Sequence, residues 1–359
     1  MTRERRAESV LLLVLIAALV WVFARPAVRE EPVRLSALGA VPRDAMLVLT
    51  LDADALRKST WGRDLLAHGQ NLRGLGSLDT LCHDSPLERL RELALFVPTV
   101  PADEALDVGV VAQGEFDAEV TLACIERVVN ARGGSPIRSP LGSFTSIRDR
   151  GASRGEIAMR QGGPLILGEG RTLRLAVDTA EGRSESVRSN EAHSGLRVEV
   201  GPHALIVSLL LPPGWLTRVT GLEVARASPL AQVRAAAVGI DLEPVKVDVV
   251  LGCESDALAR EVARILEGFS KDAGGLIELE LGRNPLERAK ISARGRVVRL
   301  QLDLDTKDLD TLSRRLLGQL PAAAPGDAPI GVDDAGRSRV DEPSLAATDA
   351  QPPTGDAGD

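Results

Sequence analysis

The sequence predicts an α+β fold of two related repeats, each a mixed or antiparallel sheet with helices packed on one face. Three observations point there. Aliphatic, strand-like runs alternate with amphipathic helical stretches. The same order of elements recurs in the two halves of the chain. An apolar N-terminal run and a polar C-terminal segment flank this body. With 359 residues, 44% hydrophobic and 26% charged, the composition is that of a globular protein. The net charge of −8 argues against a general nucleic-acid binder, which carries a basic footprint. Three Trp, five Phe and no Tyr leave little aromatic surface for stacking on bases or sugars. Thirty-eight arginines against five lysines read as a GC-rich coding bias rather than chemistry.

The first element is the uncharged run SVLLLVLIAALVWVFA, residues 9–24, preceded by Arg3, Arg5 and Arg6 and closed by Arg25-Pro26. As a helix it spans about 24 Å, short of a hydrocarbon core of about 30 Å, and snorkelling arginines extend its reach. Trp21 and Phe23 suit a membrane interface. A signal anchor is therefore expected over residues 1–24, with the membrane as its partner. The alternative is a signal peptide cleaved near Ala24, although Arg25 and Pro26 make a poor junction. No cysteine follows the run, so a lipoprotein anchor is not expected. In either case the flanking arginines hold the N-terminus in the cytoplasm and send the body across. The expected location is thus the periplasmic side of the inner membrane, or the periplasm after cleavage.

A linker (25–37) leads to the first repeat (38–200). Its strand signals are AMLVLTL (45–51), VGVVAQG from residue 108, and the runs 143–148, 156–160 and 165–167. Helical signals begin at Ala53, at Ala118 and, more weakly, at Arg171. In the second of these, Ala118, Leu122, Ile125 and Val129 share one face. The second repeat (201–320) echoes the first. PHALIVSLLL (202–211) resembles PRDAMLVLTL (42–51), and VDVVLGCESDA (247–257) aligns without a gap on VGVVAQGEFDA (108–118). The following helix carries Leu258, Val262, Ile265, Leu266 and Phe269 on one side, and strands at 290–293 and 297–304 lead to a last helix near Leu309. The two sheets are expected side by side or continuous, with LIVSLLL as a central strand. Residues 321–359, rich in Pro, Ala, Gly and Asp, read as a disordered acidic tail. That tail carries −6, so the body itself is nearly neutral.

Candidate chemistry is sparse. Cys82 and Cys124 either form a disulfide, as an oxidising compartment permits, or are buried small hydrophobes; Cys253 is left over. No CxxC occurs, which removes zinc ribbons and thioredoxin-type motifs. The histidines, His68, His83, His193 and His203, make no HExxH or HxH pair and are expected at the surface or at helix starts. In SNEAHSGL, Ser189 or Asn190 is the expected N-cap, with His193 just inside the helix. There is no SxxK motif. GGPLILGEGR matches no phosphate-binding loop, and a tight hairpin explains its glycines. Two carboxylate clusters remain, Asp52 with Asp54 and Asp303 with Asp305. Each is either a divalent-cation site or, as the stronger reading, a strand end that caps the next helix.

The segments VPRDAMLVLTLDADAL, GVVAQGEFD between the first two cysteines, SNEAHSGLRVEVG and NPLERAKISARGRVVRLQLDLDTKDLDTL resemble N-terminally anchored envelope proteins of myxobacterium-like genomes. The resemblance implies the location and the two-repeat design, and no activity. The expected role is non-catalytic: a membrane-tethered extracytoplasmic protein making protein or ligand contacts, with no cofactor, no metal and no nucleic acid. The alternative is a carrier for a lipid or other apolar ligand held between the repeat sheets. A hydrolase is a distant third, which would need His193 or His203 to meet an acid and a serine in one cleft.

Overall fold

A computed structural model describes residues 36–60, 63, 82, 86–99, 107–151, 155–213, 215, 228–272 and 288–304. The N-terminal apolar run, His68, His83, Asp305, the helix expected near Leu309 and the acidic tail lie outside them. Among the described residues no helix is long and apolar enough to cross a membrane.

The twelve strands among the described residues join one antiparallel sheet. They are β1 (Ala45–Asp52), β2 (Leu90–Pro98), β3 (Gly109–Gly114), β4 (Pro136–Leu141), β5 (Phe144–Asp149), β6 (Glu156–Met159), β7 (Leu165–Gly168), β8 (Leu205–Leu210), β9 (Val233–Leu242), β10 (Val245–Cys253), β11 (Lys290–Arg294) and β12 (Val297–Leu304). Their spatial order is β11-β12-β10-β9-β8-β1-β2-β3-β7-β6-β5-β4. The described α-helices are α1 (Ala53–Lys58), α2 (Pro86–Arg89), α3 (Ala118–Ala131), α4 (Gly170–Ala180), α5 (Glu191–Val200) and α6 (Asp256–Asp272).

The strands LVLTL and LIVSLLL, at the start of each expected repeat, pair with each other at the middle of the sheet, Val48 opposite Ser208 and Leu49 opposite Val207. From there the sheet extends through β2 and β3 on one side and through β9 and β10 on the other. In each direction the third strand gives way to a helix, and a later strand returns beside it, β7 next to β3 and β12 next to β10. The two expected sheets are therefore one continuous sheet, which runs through the expected boundary at 200/201.

Helices do not keep to one face, and this corrects the expectation. α3 packs on Ala112, Met159 and Leu165, whereas α4 packs on Val111, Ala158 and Ile166, the adjacent residues of the same three strands. Successive side chains on a strand point to opposite faces, so the two helices lie on opposite sides. In the other half, α5 packs on Ala237 and Val250 and α6 on Leu251 and Val298. The flanking helices α3 and α6 thus share one face and α4 and α5 cover the other. A sheet this wide with strands that are apolar on both sides needs cover on both. Fully buried Leu122 of α3 and Leu173 of α4 each contribute about 1.5–3 kcal/mol.

Three strands carry no clear signal in the sequence. β2 begins with the charged LRE, β4 contains two prolines, and β9 opens on the alanine run VRAAA. The first and last of these take their conformation from neighbours on both sides, so pairing overrides weak propensity. β4 and β11 are the edges among the described strands. Pro136 and Pro140 on one, and Lys290 and Arg294 on the other, discourage further strand addition.

Candidate functional site

Among the described residues, a buried polar cluster lies where α5 crosses the centre of the sheet. Asn190 is the N-cap of this helix: its Oδ1 accepts from the amides of Ala192 and His193 at 3.0 and 3.3 Å, and its Nδ2 donates to the Arg43 carbonyl at 2.8 Å. The cap tethers the helix start to the turn that leads into β1.

His193 stands in the first turn of α5, just inside the Asn190 cap as expected, and has no exposed surface. Its Nε2 lies 2.8 Å from the Ala45 carbonyl and its Nδ1 2.9 Å from Ser208 Oγ. A carbonyl only accepts, so Nε2 carries the proton, and Nδ1 accepts from the Ser208 hydroxyl. Burial pushes the His193 imidazole below its ordinary value of 6.5; the Ala45 carbonyl opposes this and the nearby Arg197 charge adds to it. A serine and a histidine do meet here, yet the second ring nitrogen is held by a carbonyl rather than an acid. Ser208 is also fully buried. A nucleophile must reach its substrate, and this pair is closed off as a structural pin.

Arg197 follows one turn later and donates to the Thr50 hydroxyl. Burial lowers its guanidinium to about 10, against the charge of Glu92, which raises it. Glu92 in turn accepts from the Ser36 hydroxyl at 3.1 Å and the Ala37 amide at 2.7 Å, capping the 3-10 turn Ala37–Ala40.

Past the C-terminus of α5, Gly201 turns at φ +87° and the chain places His203 against β9 and β10. Its Nε2 is 3.1 Å from the Val200 carbonyl and 3.5 Å from Asp248 Oδ2. Its Nδ1 is 3.2 Å from Asp241 Oδ1, a charge contact lying off the line of a hydrogen bond. The ring fits because position 239 is glycine: a Cβ there would sit 2.1 Å from His203 Cδ2. Burial alone would lower the His203 pKa, but Asp241, the Val200 carbonyl and Asp248 outweigh it and raise the pKa above 6.5. The side chain is only 7% exposed and lies past the helix end, so the expectation of a surface or helix-start position fails for His203.

Of the sequence-predicted carboxylates, Asp52, Asp54 and Asp303 are among the described residues and do not converge. Asp52 ends β1 and its Oδ1 accepts from the amides of Asp54 and Ala55 at 2.8 and 2.9 Å, capping α1. Asp54 pairs with Arg57 on the same helix. Asp303 is exposed on β12, paired in register with Lys246. Among the described residues no group of three or more His, Cys, Asp or Glu is arranged to hold a metal ion. Cys82 and Cys124 are joined as a disulfide with Cα atoms 5.2 Å apart, and Cys253 is free and buried. The glycine-rich stretch is a hairpin between β6 and β7, with Gly162 at φ +68°.

Sequence reasoning passed over Ser208, Thr50, Arg197, Asp241 and Asp248. A signal for the first two was present: each is the lone hydroxyl residue in an aliphatic strand, LIVSLL and LVLTL. The aspartates come together because β9 and β10 form a hairpin, which nothing in the spacing of the two aspartates reveals.

No protein-family model matches the chain, and no curated protein matches it. Among solved structures it is similar to TP0453. In crystal form I the identity is 11% and the TM-score 0.47, covering 79% of this chain and 99% of that one. In crystal form III the values are 10% and 0.45, covering 80% and 99%.

Proposed function

We propose that the protein is a non-catalytic, membrane-tethered component of the cell envelope whose body presents a wide sheet for contact outside the cytoplasm. The observation that carries this reading is the Cys82–Cys124 disulfide, since such bonds persist in oxidising compartments. The N-terminal apolar run with its flanking arginines supports the same direction of insertion. The histidines described are spent on holding α5, and this supports a structural rather than catalytic role. A duplicated half-domain accounts for the design: equivalent strands pair at the centre and the order of elements extends outwards from them in both directions.

The test uses full-length protein in native membranes. Protease added outside the intact inner membrane should degrade the body while the N-terminal segment stays with the membrane. Thiol mapping without reductant should leave only Cys253 to react after denaturation. A cytoplasmic body with free thiols at Cys82 and Cys124 overturns the reading.

One observation favours a second reading, a carrier of an apolar ligand. On the face flanked by α3 and α6, half-buried Leu47, Leu51, Leu95, Val249 and Leu300 line up across the middle strands. With one continuous sheet, such a ligand would lie against this strip rather than between two sheets. Co-purified lipid identified by mass spectrometry would favour it; displacement of a fluorescent fatty acid by Leu51→Asp would locate it.

A further inference from the structure

We propose that α5 is a pH-set clamp on the centre of the sheet, held at its N-terminal end by a neutral histidine, His193, and at its C-terminal end by a protonated one, His203. The two anchors flank a ten-residue helix and are built from opposite chemistry. His193 sits between a carbonyl and a hydroxyl with no carboxylate in contact, and the charged group beside it is the Arg197 cation, itself facing Glu92. A second positive charge in that closed space has only the Ala45 carbonyl to set against its desolvation.

His203 is enclosed the other way. From β9 it meets Asp241, and from β10 Asp248. Lys246 of β10 lies on the same face, opposite Asp241 and Asp303. Asp248 is fixed by Gln301 of β12, which donates to it at 2.7 Å. From α5 itself Glu199 faces Arg299 of β12. The groups touching the ring are therefore two carboxylates and a carbonyl, all acceptors. A neutral imidazole offers one N–H to this set; the imidazolium offers two and a charge.

The signs follow from linkage. His203 holds its proton more tightly in the folded protein than the ordinary 6.5. Its contribution is fully present below 6.5 and is lost as pH rises through the folded value. His193 holds its proton less tightly. Its contribution is fully present above 6.5 and is lost as pH falls through the folded value, which lies lower. Both anchors hold together between the folded value of His193, below 6.5, and the folded value of His203, above it. On the acid side the helix start loosens, and on the alkaline side the helix end does. The clamp stands whether or not the body lies in the envelope.

The experiment is NMR of isotopically labelled full-length protein in micelles, following the imidazole signals and α5 amide protection from about pH 5 to about pH 9. His203 should titrate above 6.5, and His193 should keep its Nε2–H form through most of the range. Protection of α5 amides, corrected for intrinsic exchange and referenced to α6, should peak near neutrality and fall roughly tenfold towards either end. Asp241→Asn should move the His203 midpoint down and remove the alkaline fall while leaving the acid one. Asp248→Asn is the second variant should the first not fold. A ratio of α5 to α6 protection that is flat across the range overturns the proposal. So does a His203 midpoint that neither aspartate variant moves, or a His193 that titrates at its ordinary value.

Discussion

Two glycines, one in each half of the sheet, make the same opening and receive different rings. In β3, a Cβ at Gly109 would lie 2.2 Å from Cζ of Phe96, its partner across the β2–β3 ladder. In β9, a Cβ at Gly239 would lie 2.1 Å from His203 Cδ2. Both openings are on the face covered by α4 and α5, on either side of the central β1–β8 pair. The Phe96 ring has no exposed surface and sits among Val48, Ala94 and Val111. The imidazole sits between two aspartates. A backbone device that costs strand propensity is repaid in one half by apolar burial, which is indifferent to pH, and in the other by charge, which is not.

The largest expected effect is on the apolar side. Phe96→Ala empties a site closed on all sides and should destabilise the protein by about 3–5 kcal/mol at every pH, read from denaturant melts. Gly109→Ala alone should cost about 1–3 kcal/mol by overpacking. Combined with Phe96→Ala it should cost less than the sum, because the added methyl then has the vacated space to enter. Additive costs would show that ring and glycine are not one device.

The halves also differ in covalent support. The first contains the Cys82–Cys124 bond, with a sequence separation of 42, and the second only the free, buried Cys253. Replacing both bonded cysteines by Ala should cost about 2–4 kcal/mol, mainly by releasing the unfolded chain. Cys253→Ala, a small deletion under α6, should cost under about 1.5 kcal/mol. Equal costs would mean that the bridge adds nothing beyond packing.

The third prediction separates the two openings by pH. Gly239→Ala must displace the imidazole from its aspartates, so beyond a steric cost of about 1–3 kcal/mol it forfeits the His203 contribution. That contribution is present below 6.5 and disappears as pH rises through the raised folded value. The cost of Gly239→Ala should therefore shrink with rising pH, while that of Gly109→Ala stays level. Parallel profiles would put the histidine and the phenylalanine in the same class.

What was legible in the sequence follows the same division. Elements with strong periodicity or clear caps could be read directly: β1, β8, β10, β12, α3 and α6 stand where aliphatic runs and apolar stripes place them. Asp52 does what a strand-ending aspartate before a helix is expected to do. The alanine-rich β9 could not be read, because its identity as a strand comes from β8 and β10 on either side. The helix faces were misjudged because periodicity locates an apolar stripe but not the side of the sheet it meets. The polar cluster under α5 was hidden for a related reason. His193, Ser208 and Ala45 are brought together by the β1–β8 pairing, and neither histidine has a sequence neighbour that discloses its partners.

The smallest effect tests how firmly α5 is placed over that pairing. Asn190→Ala removes the acceptor for two helix amides and the donor to the Arg43 carbonyl, and should cost about 1 kcal/mol. Asn190→Asp separates the two roles. Its carboxylate accepts the same amides and suits the positive end of the helix dipole, but it has no proton for the Arg43 carbonyl, so recovery should be partial. Full recovery would show that the cap alone sets the helix start. No recovery would show that the tie to the turn before β1 sets it, and with it the depth at which His193 reaches Ala45 and Ser208. In that case the loss should also appear as a weakened Nε2–H···O bond in the imidazole spectrum, linking the least costly change in the helix to the buried histidine one turn away.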